Sequence, residues 1–343
     1  MNIAIIADPY IPVPPQGYGG IERIIDMLIK EYLKRGHKVA LWGHPDSKPG
    51  CEVIPYGVLP HWGFGARTKE LWQVASMLYK RRKNVDVVHS FSRLAGMLPL
   101  YFYNIPKIQS YQRKITKRNV WLVSKFTGNR VFFTACSDSF WLPRHMPGNW
   151  QTIYNGVPIE KFHFRESVSD DAPLVFLGRL EEEKGPDIAI AVARLAGRKL
   201  ILAGNVVTKG ESLQYFKTKI EPFIDGINIK YVGETDDNMN NELLGKAAAL
   251  LLPSVYVDPC PVVMLEALAC GTPVIGLRTG GIPEVIKDGV NGFVCDTKEE
   301  MAQRVRKIKE ISRKRCRQIT EAKFSSEVIA EEYLALYKKL LAF

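Results

Sequence analysis

The chain has 343 residues, 47 Lys and Arg against 36 Asp and Glu, a formal net charge of +11 and 46% hydrophobic residues, enough for two ordinary domains or one large one. Charged residues at 24% and aromatics at 10% exclude disordered, collagen-like and mucin-like classes, and no apolar run approaches the roughly 20 residues of a membrane span. The opening MNIAIIADPY reads as a strand and a turn, without the basic stretch of a secretory leader.

In chain order, Asn2–Asp8 is an apolar run followed by a Pro/Gly loop, Pro9–Gly20. Ile21–Arg35 then repeats Ile24, Ile25, Leu28, Ile29, Tyr32 and Leu33 at helical spacing. Gly36 suits a helix C-cap and His37–Gly43 a second strand, which completes a βαβ unit. Val85–His89, Lys107–Ser110 and Val131–Cys136 read as further buried strands, separated by helical stretches such as Thr68–Arg82. The pattern restarts with strand Leu174–Leu177, loop Gly178–Gly185 and helix Pro186–Ala196. Strands at Lys199–Ala203, Ile227–Val232 and Ala248–Pro253 follow, then helix Pro261–Ala269 and strands Pro273–Leu277 and Gly292–Cys295. Ser325–Leu341 is an amphipathic tail helix. The short polar segment Ser167–Ala172 is the expected boundary, giving domains at 1–166 and 167–324 with a last helix at 325–343 crossing back to the first. The fold class is α/β, two Rossmann-like, doubly wound domains with a ligand expected between their strand C-terminal ends.

The charge is uneven. Residues 1–168 hold 23 Lys and Arg against 11 Asp and Glu; residues 169–343 hold 24 against 25. The excess comes in bursts, Lys80–Lys83 and then Arg113–Arg130, the second interleaved with Tyr111, Val120, Trp121, Leu122, Val123 and Phe126. Such a face fits an anionic membrane or a phosphorylated substrate, or is merely solvated. Aromatics mixed with aliphatics do not form a stacking platform, so nucleic acid is not expected. The basic run Lys309–Arg317 is balanced by acids and carries no expected function. The six cysteines lack CxxC or Cys/His ligand spacing and read as reduced, mostly buried thiols of a cytoplasmic protein.

Three motifs carry chemistry. Gln16-Gly17-Tyr18-Gly19-Gly20 sits between the first strand and its helix, where glycines let backbone N–H groups approach a phosphate. It lacks the G-x-G-x-x-G spacing, so a dinucleotide cofactor is not expected, and a plain surface turn is the alternative. Arg179-Leu-Glu-Glu-Glu-Lys184 follows the first strand of the second half; two cations there suit a diphosphate, or else pair with Glu181–Glu183 on a solvated loop. Asp258-Pro-Cys-Pro261-Val262-Val263-Met-Leu-Glu266 puts Pro261 at a first helical position, with the N–H groups of Val262 and Val263 free at the helix start. Glu266 on the second turn can accept two hydroxyl hydrogen bonds, as from a ribose, and Asp258 can do the same for a sugar.

Together these segments resemble the retaining glycosyltransferases of family 4, which have the GT-B fold. The resemblance is densest in LVFLGRLEEEK, LLLPSVYVDPCPVVMLEALACGTPVIGLRTGG and PEVIKDGVNGFVCD, with PPQGYGGIERII, ACSDS and IYNGVPIEKF extending it to the first half. It implies that a hexosyl group passes from a nucleoside diphosphate sugar to a hydroxyl acceptor, lipid-linked or another glycan precursor, with no cofactor and no metal. By the same resemblance Arg179 and Lys184 bind and stabilise the departing diphosphate, Glu266 holds the donor ribose, and Pro261, Val262 and Val263 meet phosphate or sugar. Asp258 stands at the first glutamate of the family's E-x7-E motif. Gly19 and Gly20 approach the diphosphate, Gly204 and Gly233 lie near the base, and Gln112 takes the place of a frequent histidine. His89 is the nearby histidine, acceptor-side or simply buried at a strand end. Asp236-Asp237 is expected in a polar loop apart from these motifs. A nucleotide-sugar epimerase of the same fold would need more cleft carboxylates in the first half, and a non-catalytic nucleotide-sugar binder would be expected to lack Arg179, Lys184 or Glu266.

Overall fold

A computed structural model describes the chain apart from Tyr18, residues 57–63, Phe102, Arg113, Lys114, Asn129, Thr208 and Phe343, and apart from the side chains of 64–71, Ala95, Gly96 and Pro99. Two compact units form, Met1–Gly156 with Ser326–Phe343, and Val157–Ser325. The break falls about ten residues ahead of the polar segment Ser167–Ala172 expected to mark it. Val157 N–H donates to Phe324 O (2.8 Å), so pairing within the second unit starts before that polar stretch. Recounted on these units, the first holds 23 Lys and Arg against 12 Asp and Glu and the second 24 against 24. The entire excess of +11 is on the first unit.

The first unit runs β1 (Asn2–Ile6), α1 (Gly20–Lys34), β2 (Lys38–Gly43), β3 (Glu52–Pro55), α2 (Phe64–Arg81), β4 (Val87–Ser90), β5 (Lys107–Tyr111), α3 (Lys117–Thr127), β6 (Val131–Ala135) and β7 (Asn149–Thr152). The second runs β8 (Leu174–Leu177), α4 (Pro186–Ala196), β9 (Leu200–Ala203), α5 (Gly210–Tyr215), β10 (Ile229–Tyr231), α6 (Asp237–Lys246), β11 (Ala249–Leu252), α7 (Val262–Ala269), β12 (Val274–Leu277), α8 (Ile282–Val285), β13 (Gly292–Cys295), α9 (Lys298–Val305) and α10 (Arg313–Phe324). Helix α11 (Ser326–Leu341) returns to the first unit. Both sheets are parallel, ordered β3-β2-β1-β4-β5-β6-β7 and β10-β9-β8-β11-β12-β13. Strand order reverses between β1 and β4 and between β8 and β11, the topological switch points where open α/β sheets bind ligands.

Parallel strands need cover on both faces. In the first unit Ala4, Ile6, Val88, Phe133 and Ala135 share one core with Val74 and Leu78 of α2 and Val120 of α3, which places both helices on one face of the sheet. On the other face, α1 and α11 meet through Tyr32 and Tyr337 (OH to OH 3.0 Å). His89 points to that face and is fully buried; its Nδ1 lies 2.6 Å from Tyr337 OH and its Nε2 2.6 Å from Ser110 Oγ. Burial pushes its imidazole down to about 3. Both nitrogens are engaged inside the unit, so His89 is a packing residue and not an acceptor-side one.

The run Lys309–Arg317 also proves structural. Arg313 is buried and donates to the carbonyls of Arg165 (2.7 Å), Ala247 (2.9 Å) and Gly245 (2.9 Å) and to Thr272 Oγ1 (2.8 Å). Arg317 donates to the carbonyls of Phe162 and Ala269, both at 2.8 Å. Asp236 lies at a helix start, not in an open polar loop: its side chain caps α6 by accepting from Met239 N–H (2.8 Å). All six cysteines are free, five of them buried.

Candidate functional site

The loops that leave the C-terminal ends of β8, β11 and β12 are tied into one framework. Glu183 O accepts from Ser254 Oγ (3.0 Å), Val255 N–H (3.1 Å) and Tyr256 N–H (3.3 Å), which joins the loop after β8 to the loop after β11. Gly185, at φ +70°, sits so close that a Cβ there would fall 2.3 Å from Pro253 O. Thr279 Oγ1 donates to Ser254 O (2.9 Å) and Gly281 N–H to Asp258 O (3.0 Å), adding the loop after β12. These bonds hold the chemistry-bearing side chains at the β8/β11 switch point.

Two cations stand there, each beside a carboxylate. Arg179 Nη1 lies 2.5 Å from Glu181 Oε2, and Lys184 Nζ donates to Asp258 Oδ2. All four side chains are less than a third exposed. The loop reading expected from the sequence is thus half realised. Arg179 does pair with a neighbour in its own loop, but Lys184 reaches across to Asp258, 74 residues on, and so binds two of the predicted residues together. The cluster thus sets two cations against two carboxylates, one pair within a loop and one between loops.

Helix α7 starts one residue later than the sequence predicts. Pro261 is the N-cap with ψ 119°, and Val262 is the first helical residue. The consequence for the amides is unchanged, because the opening N–H groups of any helix lack an intrahelical acceptor. Val262, Val263 and Glu266 are half-buried, with Glu266 one turn into the helix. Gly204 and Gly233 meet at the ends of β9 and β10, where Gly204 N–H donates to Gly233 O (2.8 Å). Gly204 has φ +132°, and a Cβ there would fall 1.9 Å from Gly178 O. Close approach of three loop backbones is therefore a sufficient reason for that glycine.

In the first unit Gly19 caps α1 and Gly20 begins it. A Cβ on Gly19 would press on Pro15 Cβ at 2.7 Å and Glu22 Oε2 at 3.0 Å. Gln112 follows β5 directly and is half-buried. Lys80, Arg81 and Lys83 are exposed; Arg81 Nη1 pairs with Glu52 (2.6 Å), and Arg82 lies over the ring of Tyr79 (4.0 Å). Of the burst Arg113–Arg130, Arg113 and Lys114 lie outside the described residues, while Lys117, Arg118, Lys125 and Arg130 are exposed. Sequence reasoning missed Gly280, Gly281 and Asp8. The first two were visible as a Thr-Gly-Gly turn after a predicted strand. Asp8 ends the loop side of β1 and accepts from Ser92 Oγ (2.5 Å) across the β1/β4 switch point. Nothing short of the strand order brings those two together.

Known proteins resemble this chain in sequence and fold. The model for glycosyl transferases group 1 matches residues 159–325, and that for glycosyltransferase family 4 matches residues 18–161. A glycogen synthase of Mycobacterium tuberculosis is 32% identical over 86% of this chain and 82% of its own. Among solved structures, sucrose-phosphate synthase from Thermosynechococcus elongatus superposes with a TM-score of 0.81, 20% identity and 99% of each chain covered. Anabaena HepE in complex with UDP-glucose gives 0.76 at 17% identity, over 99% of this chain and 100% of that one. At those identities the structures speak for the fold, which is GT-B. On the two family models and the glycogen synthase relative, the chain belongs to the group 1, family 4 glycosyltransferases.

Proposed function

We propose that this protein is a retaining transferase that moves a hexosyl group from a nucleoside diphosphate sugar to a hydroxyl of a lipid-linked or other glycan precursor. The observation that carries the reading is the cation pair Arg179 and Lys184 on a loop pinned at the β8/β11 switch point, one helix start away from Glu266. In this reading the diphosphate displaces Glu181 from Arg179 and Asp258 from Lys184. Glu266 accepts the ribose hydroxyls, the amides of Val262 and Val263 meet phosphate or sugar, and Asp258, once released, takes a sugar hydroxyl. Gly204 and Gly233 shape the loop edge near the base.

The chemistry follows from charge. The bond between the anomeric carbon and the phosphate oxygen breaks, and negative charge grows on the diphosphate beside two fixed cations in a half-buried site. The acceptor oxygen bonds to the same face of that carbon, and its proton passes to the departing phosphate oxygen. Arg179 and Lys184 supply the charge that a divalent ion provides elsewhere, so the reading needs neither metal nor cofactor. Gly19 and Gly20 offer backbone donors suited to an anion, Gln112 a hydrogen bond to acceptor, and the enzyme works in the cytoplasm.

The test is a calorimetric screen of UDP-, GDP- and ADP-sugars, followed by product analysis of the best binder with lipid-linked acceptors. Transfer with retention at the anomeric carbon is expected. A tight binder returned as a different epimer, or no nucleotide binding at all, would overturn the proposal.

A further inference from the structure

The charge excess of the first unit is not absorbed by a diphosphate site in the second, and helix α3 gives it a specific form. Val120, Ser124 and Thr127 of α3 are buried, and Val120 belongs to the core of the sheet. With 3.6 residues per turn, the face opposite that stripe carries Arg118, Trp121, Leu122, Lys125 and Phe126. On a helix that stays in water this face would be polar. Instead Phe126 is 71% exposed and Trp121 49% exposed. Lys125 Nζ stands 5.0 Å over the Trp121 ring. The helix Lys117–Thr127 contains no Asp or Glu at all.

The patch continues beyond the helix. Lys117 Nζ donates to Arg144 O (3.1 Å), which sets the turn Leu142–Arg144 beside the start of α3, and Leu142 is itself 47% exposed. The acid closest in sequence to this turn, Asp138, accepts from Thr152 Oγ1. Helix α2 packs on the same face of the sheet as α3 and ends in exposed Lys80 and Arg81, with exposed Lys83 in the turn that follows and Trp72 76% exposed.

We propose that the outer face of α3 docks on an anionic lipid bilayer, with Trp121, Phe126 and Leu142 entering the interface and Arg118 and Lys125 meeting lipid phosphates. Two properties of the patch choose this occupant. Its cations match a negative leaflet, and its large apolar side chains, set between those cations, gain from an interface that is apolar on one side and wet on the other. A soluble phosphorylated molecule would account for the cations but would leave Trp121 and Phe126 in water.

The experiment is co-sedimentation of the full chain with vesicles of phosphatidylcholine plus phosphatidylglycerol, and with vesicles of phosphatidylcholine alone, at low and at physiological salt. The wild type is expected to bind the anionic vesicles, more weakly as salt rises, and the neutral ones far less. Trp121→Ser with Phe126→Ser, which touches no core residue, is expected to lower partition by about tenfold or more. Arg118→Gln and Lys125→Gln are each expected to lower it by about fivefold. Circular dichroism and nucleoside diphosphate affinity, read on the same samples, should match wild type. Absence of binding to anionic vesicles overturns the inference. So does binding that survives the double aromatic substitution, or binding to heparin as strong as to vesicles, which would mark a site for soluble polyanions.

Discussion

Replacing Lys184 by Ala tests the proposed chemistry most directly. The loop itself should survive, because its position depends on the Glu183 carbonyl and its three donors from Ser254, Val255 and Tyr256. The ion pair lost is a quarter exposed at Lys184 and 17% at Asp258. Its removal therefore costs well below the 3–5 kcal/mol of a fully buried pair, and about 1 kcal/mol of stability is expected. Transfer should suffer far more. A preorganised cation aimed at a leaving group is worth ~2.7–4 kcal/mol, on the order of 10²–10³ in kcat. The unpaired carboxylate of Asp258 would oppose the diphosphate as well, so nucleotide affinity should fall with it. Initial rates at saturating donor, with urea unfolding as the control, separate the two effects. Lys184→Ala with Asp258→Asn should recover part of the affinity but not the rate. A Lys184→Ala enzyme that keeps kcat within about tenfold of wild type would refute leaving-group stabilisation by this residue.

Three further substitutions follow from the geometry. Glu181→Gln removes the anion beside Arg179, and nucleoside diphosphate affinity should rise by about fivefold, worth ~1 kcal/mol for a partly exposed pair; unchanged or weaker calorimetric affinity would exclude competition by Glu181. Gly204→Ala puts a methyl 1.9 Å from Gly178 O at φ +132°, so a loss of about 2 kcal/mol or more is expected in urea unfolding, and a loss under ~0.5 kcal/mol would contradict the close approach. His89, held near 3 against an ordinary 6.5, stays neutral when folded while the unfolded chain takes up a proton between those values. Its contribution to stability is complete above about pH 6.5 and declines as pH falls toward 3, by up to ~1.4 kcal/mol per unit. The pH profile of the melting temperature should therefore be flatter for His89→Gln, and identical acid slopes would show that His89 is not the group that titrates.

Local pattern was enough for a large part of the molecule. The bounds of β8, α4 and β13 agree with the sequence expectation residue for residue, because apolar runs, Pro at a helix start and Gly at a helix end act within a few residues of themselves. The motifs Arg179–Lys184 and Asp258–Glu266 likewise carried the family, since each is a contiguous loop-and-helix segment. The two edge strands of the first sheet were not legible. Glu52–Pro55 ends in a proline and Asn149–Thr152 is mostly polar, and an edge strand can tolerate both where a central one cannot.

What the tertiary structure alone decided are pairings between distant positions. His89 becomes a packing residue because α11 delivers Tyr337 to it from 248 residues away. Arg313 and Arg317, in a basic run to which the sequence assigned no function, are consumed by backbone carbonyls of other segments of the second unit. Lys184 faces Asp258 rather than its neighbouring glutamates because strand order places β8 beside β11. Periodicity specifies which side of an element is apolar, but not which element will cover it. That choice belongs to the order of strands in the sheet, and it is the order that sets the cations of one loop against the carboxylate of another.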